Sequence, residues 1–483
     1  MKLKDLLAGI GVIEATADME MEVTSVVYDS RKVTPGSVFV AVAGFAADGN
    51  RFIPMAMEKG ALAVVTAKRP AENIPYILVE SDRLALALMG ANYYNHPGKA
   101  MKLIGVTGTN GKTSVTLLTK QLLEKVLGAK VGLIGTMYNL VGDEEIPTER
   151  TTPESFELQG LFARMRDAGC QYVIMEVSSH AIALDRVGGV RFDVAAFTNL
   201  TEDHLDFHKT MEHYCDTKAE LFARCGKAVA NLDDEWFTRI TAKANCDVLT
   251  TSVKQNASLQ AEDLQLHSDG ISFTAVSGEK KVQVSLPIPG KFTVYNALTV
   301  LGIALQLGIS LEDAAEALKT AQGVKGRVEV VPTPGKPYTV LIDYAHTPDG
   351  LENVLSSVRG FCKGRLIAVF GCGGDRDPIK RPIMGKIGVS LADLAVITSD
   401  NPRTEEPMAI IEDILQGIEP ADGEYTVVAD RRKAIRYAMD IAQKDDIIVL
   451  AGKGHETYQE IHGVKHHLDE REEVAAHLAE LRN

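Results

Sequence analysis

Apolar and polar positions divide the chain into regions in which strand and helix patterns alternate. The run 103–106 is apolar, as expected for a buried strand, and apolar residues then recur at helical spacing from Val115 to Val126. Further apolar runs at 131–134, 172–177 and 194–197 are separated by helical segments. Because strands that alternate with helices form parallel sheets, residues 99–328 are predicted to form an α/β domain around a parallel sheet.

The regions on either side alternate in the same way. Residues 1–98 carry strand patterns at 22–28, 37–42, 63–65 and 76–79 and end at the turn sequence 95–98. Residues 329–483 are predicted to form a Rossmann-like, doubly wound α/β domain with strands at 339–343, 366–370, 395–399, 426–428 and 447–450. Period-two alternation within 247–289 predicts antiparallel strands added to the central sheet.

Composition narrows the class of protein. The 483 residues are 45% hydrophobic, and no apolar run approaches the roughly 18 residues of a membrane span. The net charge of −14 disfavours binding to nucleic acid or to a membrane surface, because both need a basic footprint. The six cysteines are scattered, and the N-terminus lacks the pattern of a secretory signal. We therefore predict a cytoplasmic protein with reduced thiols.

The strongest chemical signal is the segment Gly105-Val-Thr-Gly-Thr-Asn-Gly-Lys-Thr113, which joins a predicted strand to a predicted helix. In that context the backbone N–H groups of Gly108, Thr109, Asn110 and Gly111 surround phosphate at a helix N-terminus. Lys112 then reaches the terminal phosphates of ATP, and the Thr113 hydroxyl ligates Mg²⁺. The alternative is a chance glycine turn. Val106 stands where the usual pattern has glycine, which indicates a particular branch of ATP-binding loops.

Three further residues of the central region are candidates for chemistry. Glu176 ends an apolar strand, where phosphate-loop proteins place an acidic Mg²⁺ ligand. His204 lies among Glu202, Asp203 and Asp206 and is either a ligand of a second metal or a structural histidine. Lys218 lies on a predicted helix, where an ordinary lysine is solvated or paired with an acidic residue.

Polar clusters follow the strands of the third domain, at the edge where open α/β sheets bind ligands. Asp343 and His346 follow one strand, and we expect them to contact ATP together with Asn296 and Arg327 of the central domain. ATP would then be clamped between domains, as in enzymes that close only when every substrate is present.

Taken in order, these motifs resemble the Mur ligase family over essentially the whole chain. The segments that carry the resemblance are 107–113, 176–180, 198–200 with His204, 295–297, 326–327, 343–346 and 453–455. The resemblance implies a ligase in which the γ-phosphoryl group of ATP activates a carboxylate as an acyl phosphate, which an amine then attacks. It also implies two Mg²⁺ ions held by Thr113, Glu176, His204 and a carbamate on Lys218, and it makes Lys112, Lys218, His204 and Glu176 the catalytic residues.

Within the family, the segments 29–31, 151–153 and 400–403 resemble the members that add the third peptide residue to UDP-N-acetylmuramoyl-L-alanyl-D-glutamate during peptidoglycan precursor synthesis. The resemblance implies contacts with this substrate from Ser30, Gly44, Asp48, Gly49, Thr151, Thr152, Ser178 and Arg186. The chain departs from the pattern of Gram-negative members at Leu184, where they often have glutamine, and at Phe45-Ala46, where they have His-Gln.

The motif Asp400-Asn-Pro-Arg403 resembles the version of the family that accepts meso-2,6-diaminopimelate. The far end of this amino acid carries a carboxylate and an amine, and a bidentate arginine at position 403 suits the carboxylate. Since L-lysine lacks that carboxylate, a site built around Arg403 would discriminate by about 10⁴. The implied diaminopimelate site consists of Arg376, Asp400, Asn401, Pro402, Arg403, Gly452 and Glu456.

Three alternatives stay open at this point. They are the L-lysine-adding version of the same ligase, a ligase similar to folylpolyglutamate synthetase, and a phosphate-loop switch that performs no ligation. Residues 1–98 and 400–403 disfavour the folate enzyme, and the polar clusters of the third domain disfavour the switch. We expect a monomer that takes ATP, the muramoyl dipeptide and meso-diaminopimelate.

Overall fold

The computed structural model describes residues 1–44, 48–419 and 423–481. Phe45-Ala46, one of the two departures from the family pattern, lies outside the described residues, as does the side chain of Asp206. The chain forms two compact units: one comprises residues 1–258 and 299–310, and the other comprises residues 259–298 and the chain from 311 onward. Across the described ranges, no helix has the length and apolar character that crossing a membrane requires.

The first unit begins with a small α/β layer. Strands β2, β3, β4 and β5 pair in parallel in chain order, and β1 adds to β5 in the antiparallel direction. Apolar side chains on both faces of this sheet are buried against its helices. The elements are α1 (Leu3–Leu6), β1 (Val12–Ala15), β2 (Ser25–Val27), β3 (Ser37–Val40), α2 (Ile53–Glu58), β4 (Ala63–Thr66), β5 (Tyr76–Val79) and α3 (Asp82–Tyr93).

The rest of the first unit is built on a larger sheet with the strand order β13-β12-β11-β6-β10-β7-β8-β9. The strands from β13 to β7 are parallel, as predicted, and β8 and β9 form an antiparallel extension. The elements are β6 (Lys102–Thr107), α4 (Lys112–Leu127), β7 (Val131–Ile134), β8 (Asn139–Val141), β9 (Glu144–Ile146), α5 (Ser155–Asp167), β10 (Tyr172–Glu176), α6 (Ser179–Ala183), β11 (Phe192–Phe197), α7 (Leu205–His208), α8 (Met211–Ala219), β12 (Cys225–Asn231), α9 (Phe237–Thr241) and β13 (Val248–Ser252).

The second unit contains an antiparallel meander and a second α/β sheet. The prediction of antiparallel strands within 247–289 is confirmed for β14, β15 and β16 but is wrong for β13, which runs parallel to β12. The elements up to the second sheet are β14 (Leu259–His267), β15 (Gly270–Ser277) and β16 (Lys280–Leu286), then α10 (Lys291–Gln306) and α11 (Leu311–Leu318).

The second sheet has the order β17-β18-β22-β19-β20-β21, and all its neighbours are parallel except β17 and β18. Successive residues of β18, β19 and β22 enter two different cores: one packs against α12, α13 and α14, and the other against α15 and α16. This confirms the doubly wound prediction. The elements are β17 (Glu329–Val331), β18 (Thr339–Asp343), α12 (Pro348–Arg359), β19 (Leu366–Phe370), α13 (Lys380–Leu391), β20 (Leu394–Ile397), α14 (Pro407–Leu415), β21 (Tyr425–Val427), α15 (Arg431–Ile441), β22 (Ile447–Ala451), β23 (Tyr458–Ile461), β24 (Val464–His467) and α16 (Glu470–Glu480).

Candidate active site

The glycine-rich segment forms a tight loop between β6 and α4, as predicted. Gly108 has φ +148° and Gly111 has φ +85°, conformations that residues with a side chain rarely adopt. A Cβ atom on Gly108 would lie 1.9 Å from Oγ1 of Thr198. The loop therefore requires glycine at position 108, and its backbone precedes the N-terminus of a 16-residue helix, the position that binds phosphate.

The loop is held by the residues that follow β11, the strand beside β6. Thr198 Oγ1 donates to the Asn110 carbonyl oxygen at 2.6 Å, and the Asn110 N–H donates to Oδ1 of Asn199 at 3.0 Å. The Thr109 N–H donates to the Asn199 carbonyl at 2.8 Å. Thr198 and Asn199 were not among the predicted site residues, although they belong to a segment that carries the family resemblance. They fix the conformation in which the loop meets a phosphate.

Two lysine side chains converge on one carbonyl oxygen of this loop. Nζ of Lys112 donates to the Gly108 oxygen at 2.8 Å, and Nζ of Lys218 donates to the same oxygen at 2.9 Å. Lys218 is only 1% exposed. Its pKa falls well below the usual value because burial disfavours the charged ammonium and because Lys112 repels it. The two amines thus lie at the place where the phosphates of ATP would bring negative charge, and the charged form of Lys218 is disfavoured there.

Glu176 ends β10, directly beside β6 on the other side. It is 1% exposed, and its carboxylate accepts hydrogen bonds from Thr113 Oγ1 at 3.0 Å and from the N–H and hydroxyl of Thr136 at 2.9 and 3.0 Å. Thr136 was not among the predicted site residues. A hydroxyl and a carboxylate next to a phosphate-binding loop are the donors that Mg²⁺ takes in such sites, so Thr113 and Glu176 fit the ion.

His204 lies near this centre on the carboxyl side of β11. Its backbone has φ +55°, its ring is 4.9 Å from that of His180, and its Nε2 lies 3.4 Å from a carboxylate oxygen of Asp203. Within the described residues, no three His, Cys, Asp or Glu side chains cluster as a metal-binding group. The choice between a metal ligand and a structural histidine at position 204 stays a prediction.

The predicted substrate residues Thr151, Thr152, Ser178 and Arg186 do come together beside Glu176. Thr152 Oγ1 donates to the Glu176 carbonyl at 2.9 Å, and Nη1 of Arg186 donates to the Thr152 carbonyl at 3.2 Å. Thr152 Oγ1 also contacts Ser178 Oγ at 3.4 Å, and Thr151 Oγ1 contacts Thr136 Oγ1 at 3.1 Å. Leu184 is half-buried two residues before Arg186.

Three arginines surround one carboxylate at this place. Glu154 pairs with Arg150 at 2.6 Å, with Arg186 at 3.0 Å and with Arg83 at 3.8 Å. Burial lowers the pKa of Arg186, and the two other arginines lower it further, whereas Glu154 raises it. Of this cluster, only Arg186 was among the predicted site residues. The excess of positive charge in the cluster suits an anionic substrate.

The predicted residues of the N-terminal layer lie in turns after its parallel strands. Ser30 is buried in a short 3-10 turn, which Asp29 caps by accepting the Arg31 N–H at 3.0 Å. Asp48 similarly accepts the Asn50 N–H at 3.0 Å, and a Cβ on Gly49 would lie 2.5 Å from the Val42 carbonyl oxygen. Gly44 follows β3 at the edge of the described range.

In the second unit, two of the predicted ATP contacts, Arg327 and His346, lie beside the aromatic ring of Tyr344, which was not among the predicted site residues. The Tyr344 ring lies 4.6 Å from the ring of His346, and the Arg327 guanidinium lies 5.5 Å from it. Asp343 is 6% exposed and accepts the N–H groups of Val328 and Ala345 at 2.8 and 2.9 Å. Asp343 therefore shapes the loop, and burial raises the pKa of its carboxyl group. Asn296 is buried on α10.

The predicted diaminopimelate residues follow the neighbouring strands β19, β20 and β22. They lie at the carboxyl ends of these strands, where open α/β sheets have a binding crevice, and we call them the crevice. Asn401 Nδ2 donates to Oε2 of Glu456 at 2.9 Å. Nη1 of Arg403 donates to the Gly374 carbonyl at 2.7 Å, and its Nε lies 3.4 Å from Glu460. A Cβ on Gly452 would lie 2.5 Å from Oδ2 of Asp400. Pro402 packs its backbone against the loop that carries Arg376, which is exposed.

Comparisons with known proteins show the family to which the chain belongs. Family models match most of the chain: "Mur ligase family, catalytic domain" at residues 22–94, "Mur ligase middle domain" at 106–304 and "Mur ligase, glutamate ligase domain" at 326–454. The chain belongs to the Mur ligase family and has its three-domain α/β fold. The predicted boundaries 1–98, 99–328 and 329–483 stay predictions.

Individual relatives narrow this further. The chain is 49% identical to the UDP-N-acetylmuramoyl-L-alanyl-D-glutamate--2,6-diaminopimelate ligase of Clostridium botulinum, over 95% of this chain and 96% of that one. It is 46% identical to the ligase of the same name from Clostridioides difficile, over 98% of both chains. A solved structure of a ligase with this name superposes with a TM-score of 0.79 at 32% identity, covering 100% of this chain and 99% of the other.

Proposed function

We propose that the chain is an ATP-dependent ligase that joins meso-2,6-diaminopimelate to the D-glutamyl γ-carboxylate of UDP-N-acetylmuramoyl-L-alanyl-D-glutamate. The observation that carries this proposal is the near full-length similarity to ligases named for this reaction. Since ATP and a nucleotide-linked dipeptide are the substrates, we place the reaction in the cytoplasm, as a step of peptidoglycan precursor synthesis. We propose that the enzyme acts as a monomer.

The phosphate loop performs the first step of the proposed reaction. ATP binds at Gly108–Thr113, and the γ-carboxylate attacks the γ-phosphorus, so that an acyl phosphate forms and ADP leaves. Lys112 offsets the negative charge that develops on the phosphoryl oxygens. Thr113, Glu176, His204 and a carbamate on Lys218 would hold two Mg²⁺ ions, which would supply electrostatic stabilisation of the phosphates when bound. Thr152, Ser178 and Arg186 orient the dipeptide.

Lys218 would act as its carbamate. In its ammonium form, Lys218 would lie 2.9 Å from a carbonyl oxygen that also accepts a hydrogen bond from Lys112, so it would add repulsion to a site that must hold cations. The low pKa of Lys218 favours the neutral amine. That amine adds to CO₂ and releases one proton, which gives a carboxylate of the kind that Mg²⁺ prefers.

The crevice of the second unit would bind the incoming amino acid. Its free amine attacks the acyl carbon, and inorganic phosphate leaves from the tetrahedral intermediate. We assign the distal carboxylate to Arg403, the distal amine to Glu456 and the other carboxylate to Arg376. Asp400 and Asn401 shape the crevice, and both are buried.

Phosphate release with one amino acid at a time tests this function. We expect the rate to depend on both the muramoyl dipeptide and meso-diaminopimelate, and to exceed the rates with L-lysine and L-ornithine by at least about 100-fold. Preference for L-lysine would instead establish the lysine-adding version. Hydrolysis that is independent of both substrates would favour the phosphate-loop switch, and phosphate release with a folate and glutamate would favour the folate enzyme.

A further inference from the structure

A fully buried lysine lies at the centre of the crevice, between two glycines. Lys453 is 0% exposed. Its neighbours Gly452 and Gly454 have φ values of +117° and +55°. A Cβ on Gly454 would lie 2.5 Å from Cβ of Tyr344, just as one on Gly452 would meet Asp400. The backbone on both sides of Lys453 is therefore fixed against neighbouring loops.

Burial of an ammonium group costs free energy unless partners offset the lost hydration. Nζ of Lys453 donates to Oδ1 of Asn401 and to Oε2 of Glu456, both at 3.1 Å. Asn401 Nδ2 donates to the same Oε2 at 2.9 Å. The three side chains thus form a closed triangle, in which Lys453 supplies the charge that balances Glu456.

The triangle treats the two oxygens of Glu456 differently. Oε2 accepts from both Lys453 and Asn401, whereas Oε1 accepts no hydrogen bond from the part of the chain that the structure describes. The side chain of Glu456 is 15% exposed, so a ligand has access to it. One oxygen is therefore occupied by the protein, and the other is left for a donor that arrives from outside.

We propose that Lys453 is a positioning residue that fixes Glu456 through Oε2, so that Oε1 receives the distal amine of the incoming amino acid. This inference rests on the proposed function. It divides selectivity into two independent contacts: Arg403 recognises the distal carboxylate, and the pair Lys453–Glu456 recognises the distal amine. The affinity of the enzyme for an amino acid that keeps the distal carboxylate but lacks the distal amine should not depend on Lys453.

L-2-Aminopimelate is such a compound, since it is diaminopimelate without the distal amine. The experiment measures KM for meso-diaminopimelate and the inhibition constant of L-2-aminopimelate against it, in wild type, Lys453→Met, Lys453→Arg, Glu456→Gln and the double variant Lys453→Met/Glu456→Gln. Lys444→Met is the matched control, because Lys444 is an exposed lysine of the same unit. Melting temperature and the KM for ATP report whether each variant is folded.

We expect Lys453→Met to raise the KM for diaminopimelate by about 10- to 100-fold and to change the inhibition constant of L-2-aminopimelate by less than about 3-fold. Lys453→Arg, which keeps the charge, should recover most of the loss. The KM of the double variant for diaminopimelate should be no higher than that of Glu456→Gln, because both substitutions break the same contact.

Two results would overturn the inference while leaving the proposed function intact. One is an equal loss of affinity for diaminopimelate and L-2-aminopimelate in Lys453→Met. The other is additivity of the Lys453 and Glu456 effects. A wild-type enzyme that releases no phosphate with diaminopimelate would instead overturn the proposed function, and the inference with it.

Discussion

The phosphate loop and the proposed diaminopimelate crevice both lie at the carboxyl ends of parallel strands, yet they are held in different ways. The loop is held mainly through backbone groups, such as the Asn110 carbonyl and N–H and the Thr109 N–H. The crevice is held mainly through side chains, such as those of Lys453, Asn401 and Glu456. A loop set by backbone geometry works as a whole or fails as a whole. A crevice made of side-chain pairs has contacts that can be changed one at a time.

The two regions also differ in charge balance. At the loop, Lys112 donates to the carbonyl oxygens of Gly108 and Thr109 and pairs with no carboxylate among the described residues, so its charge is left for the phosphates of ATP to offset. In the crevice, two cationic side chains are matched by carboxylates: Arg403 by Glu460 at 3.4 Å and Lys453 by Glu456 at 3.1 Å. We infer that the loop is tuned to a highly charged ligand and the crevice to a zwitterion.

Substitution of Gly108 by alanine tests whether the loop fails as a whole. The new Cβ would lie 1.9 Å from Thr198 Oγ1 at a φ of +148°, so the loop must move. We expect kcat/KM for phosphate release to fall by at least about 1000-fold with every amino acid.

Gly128→Ala is the control for this variant, because Gly128 also has a positive φ but has open space around it. It should retain activity. A Gly108→Ala enzyme that loses activity with diaminopimelate but keeps it with another amino acid would contradict the contrast between the two regions.

Replacement of Lys218 by alanine tests the charge balance at the loop. We expect a loss of about 100- to 1000-fold in kcat, partly restored by millimolar short carboxylates that take the place of the carbamate. Because burial and Lys112 hold the pKa of Lys218 well below its usual value, its neutral amine is more populated than that of an exposed lysine. Wild-type activity should therefore fall in CO₂-depleted buffer, fall further as the pH is lowered, and return with bicarbonate.

The exposed Lys243 provides the matched variant, Lys243→Ala, which should behave as wild type. Undiminished turnover by Lys218→Ala, or indifference of the wild type to bicarbonate, would contradict the carbamate.

Replacement of Arg403 by alanine tests the separability of the crevice contacts. Diaminopimelate should lose about 100-fold in kcat/KM, because its distal carboxylate loses a bidentate partner, whereas L-lysine turnover should stay within about 3-fold. Steady-state kinetics with both amino acids measures the ratio. The control is Arg436→Ala, which removes an arginine paired with Glu480 on the surface of the same unit. An unchanged ratio of the two rates would contradict the assignment of Arg403.

The sequence predicts the central strands of the sheets better than their edge strands. The runs 339–343 and 366–370 coincide with β18 and β19, because strands buried on both faces are apolar throughout. β1 and β17 escape prediction because strands of four and three residues carry too little pattern. β1 also depends on pairing with β5, which is distant in the chain.

The residues of the candidate site likewise divide into those that the sequence reveals and those that it does not. The motif residues of the loop and of 400–403 are recognisable because their function needs particular residues at fixed spacing. Thr136 carries no such local signal, since its partner Glu176 is 40 residues away in the chain. Lys453 belongs to a segment that carries the family resemblance, but its contact with Asn401, which is 52 residues away, does not show in the sequence. Only the folded structure brings these pairs together.

The smallest expected effect is that of a substitution at Thr136. This substitution tests whether a single side-chain hydrogen bond contributes to activity beside a loop that is held mainly through its backbone. Thr136→Val keeps the shape and the backbone N–H that donates to Oε1 of Glu176 at 2.9 Å, but removes the hydroxyl that donates to Oε2 at 3.0 Å. Loss of one hydrogen bond to a charged group costs about 1.5–2 kcal/mol, so we expect the Mg²⁺ concentration for half-maximal activity to rise about 10-fold at unchanged amino-acid preference. Thr148→Val, which removes an exposed hydroxyl bonded to the Arg150 carbonyl, is the control. A shift in the ratio of diaminopimelate to lysine turnover in Thr136→Val would show that the two regions are not independent, because a residue beside Glu176 would then alter recognition in the crevice.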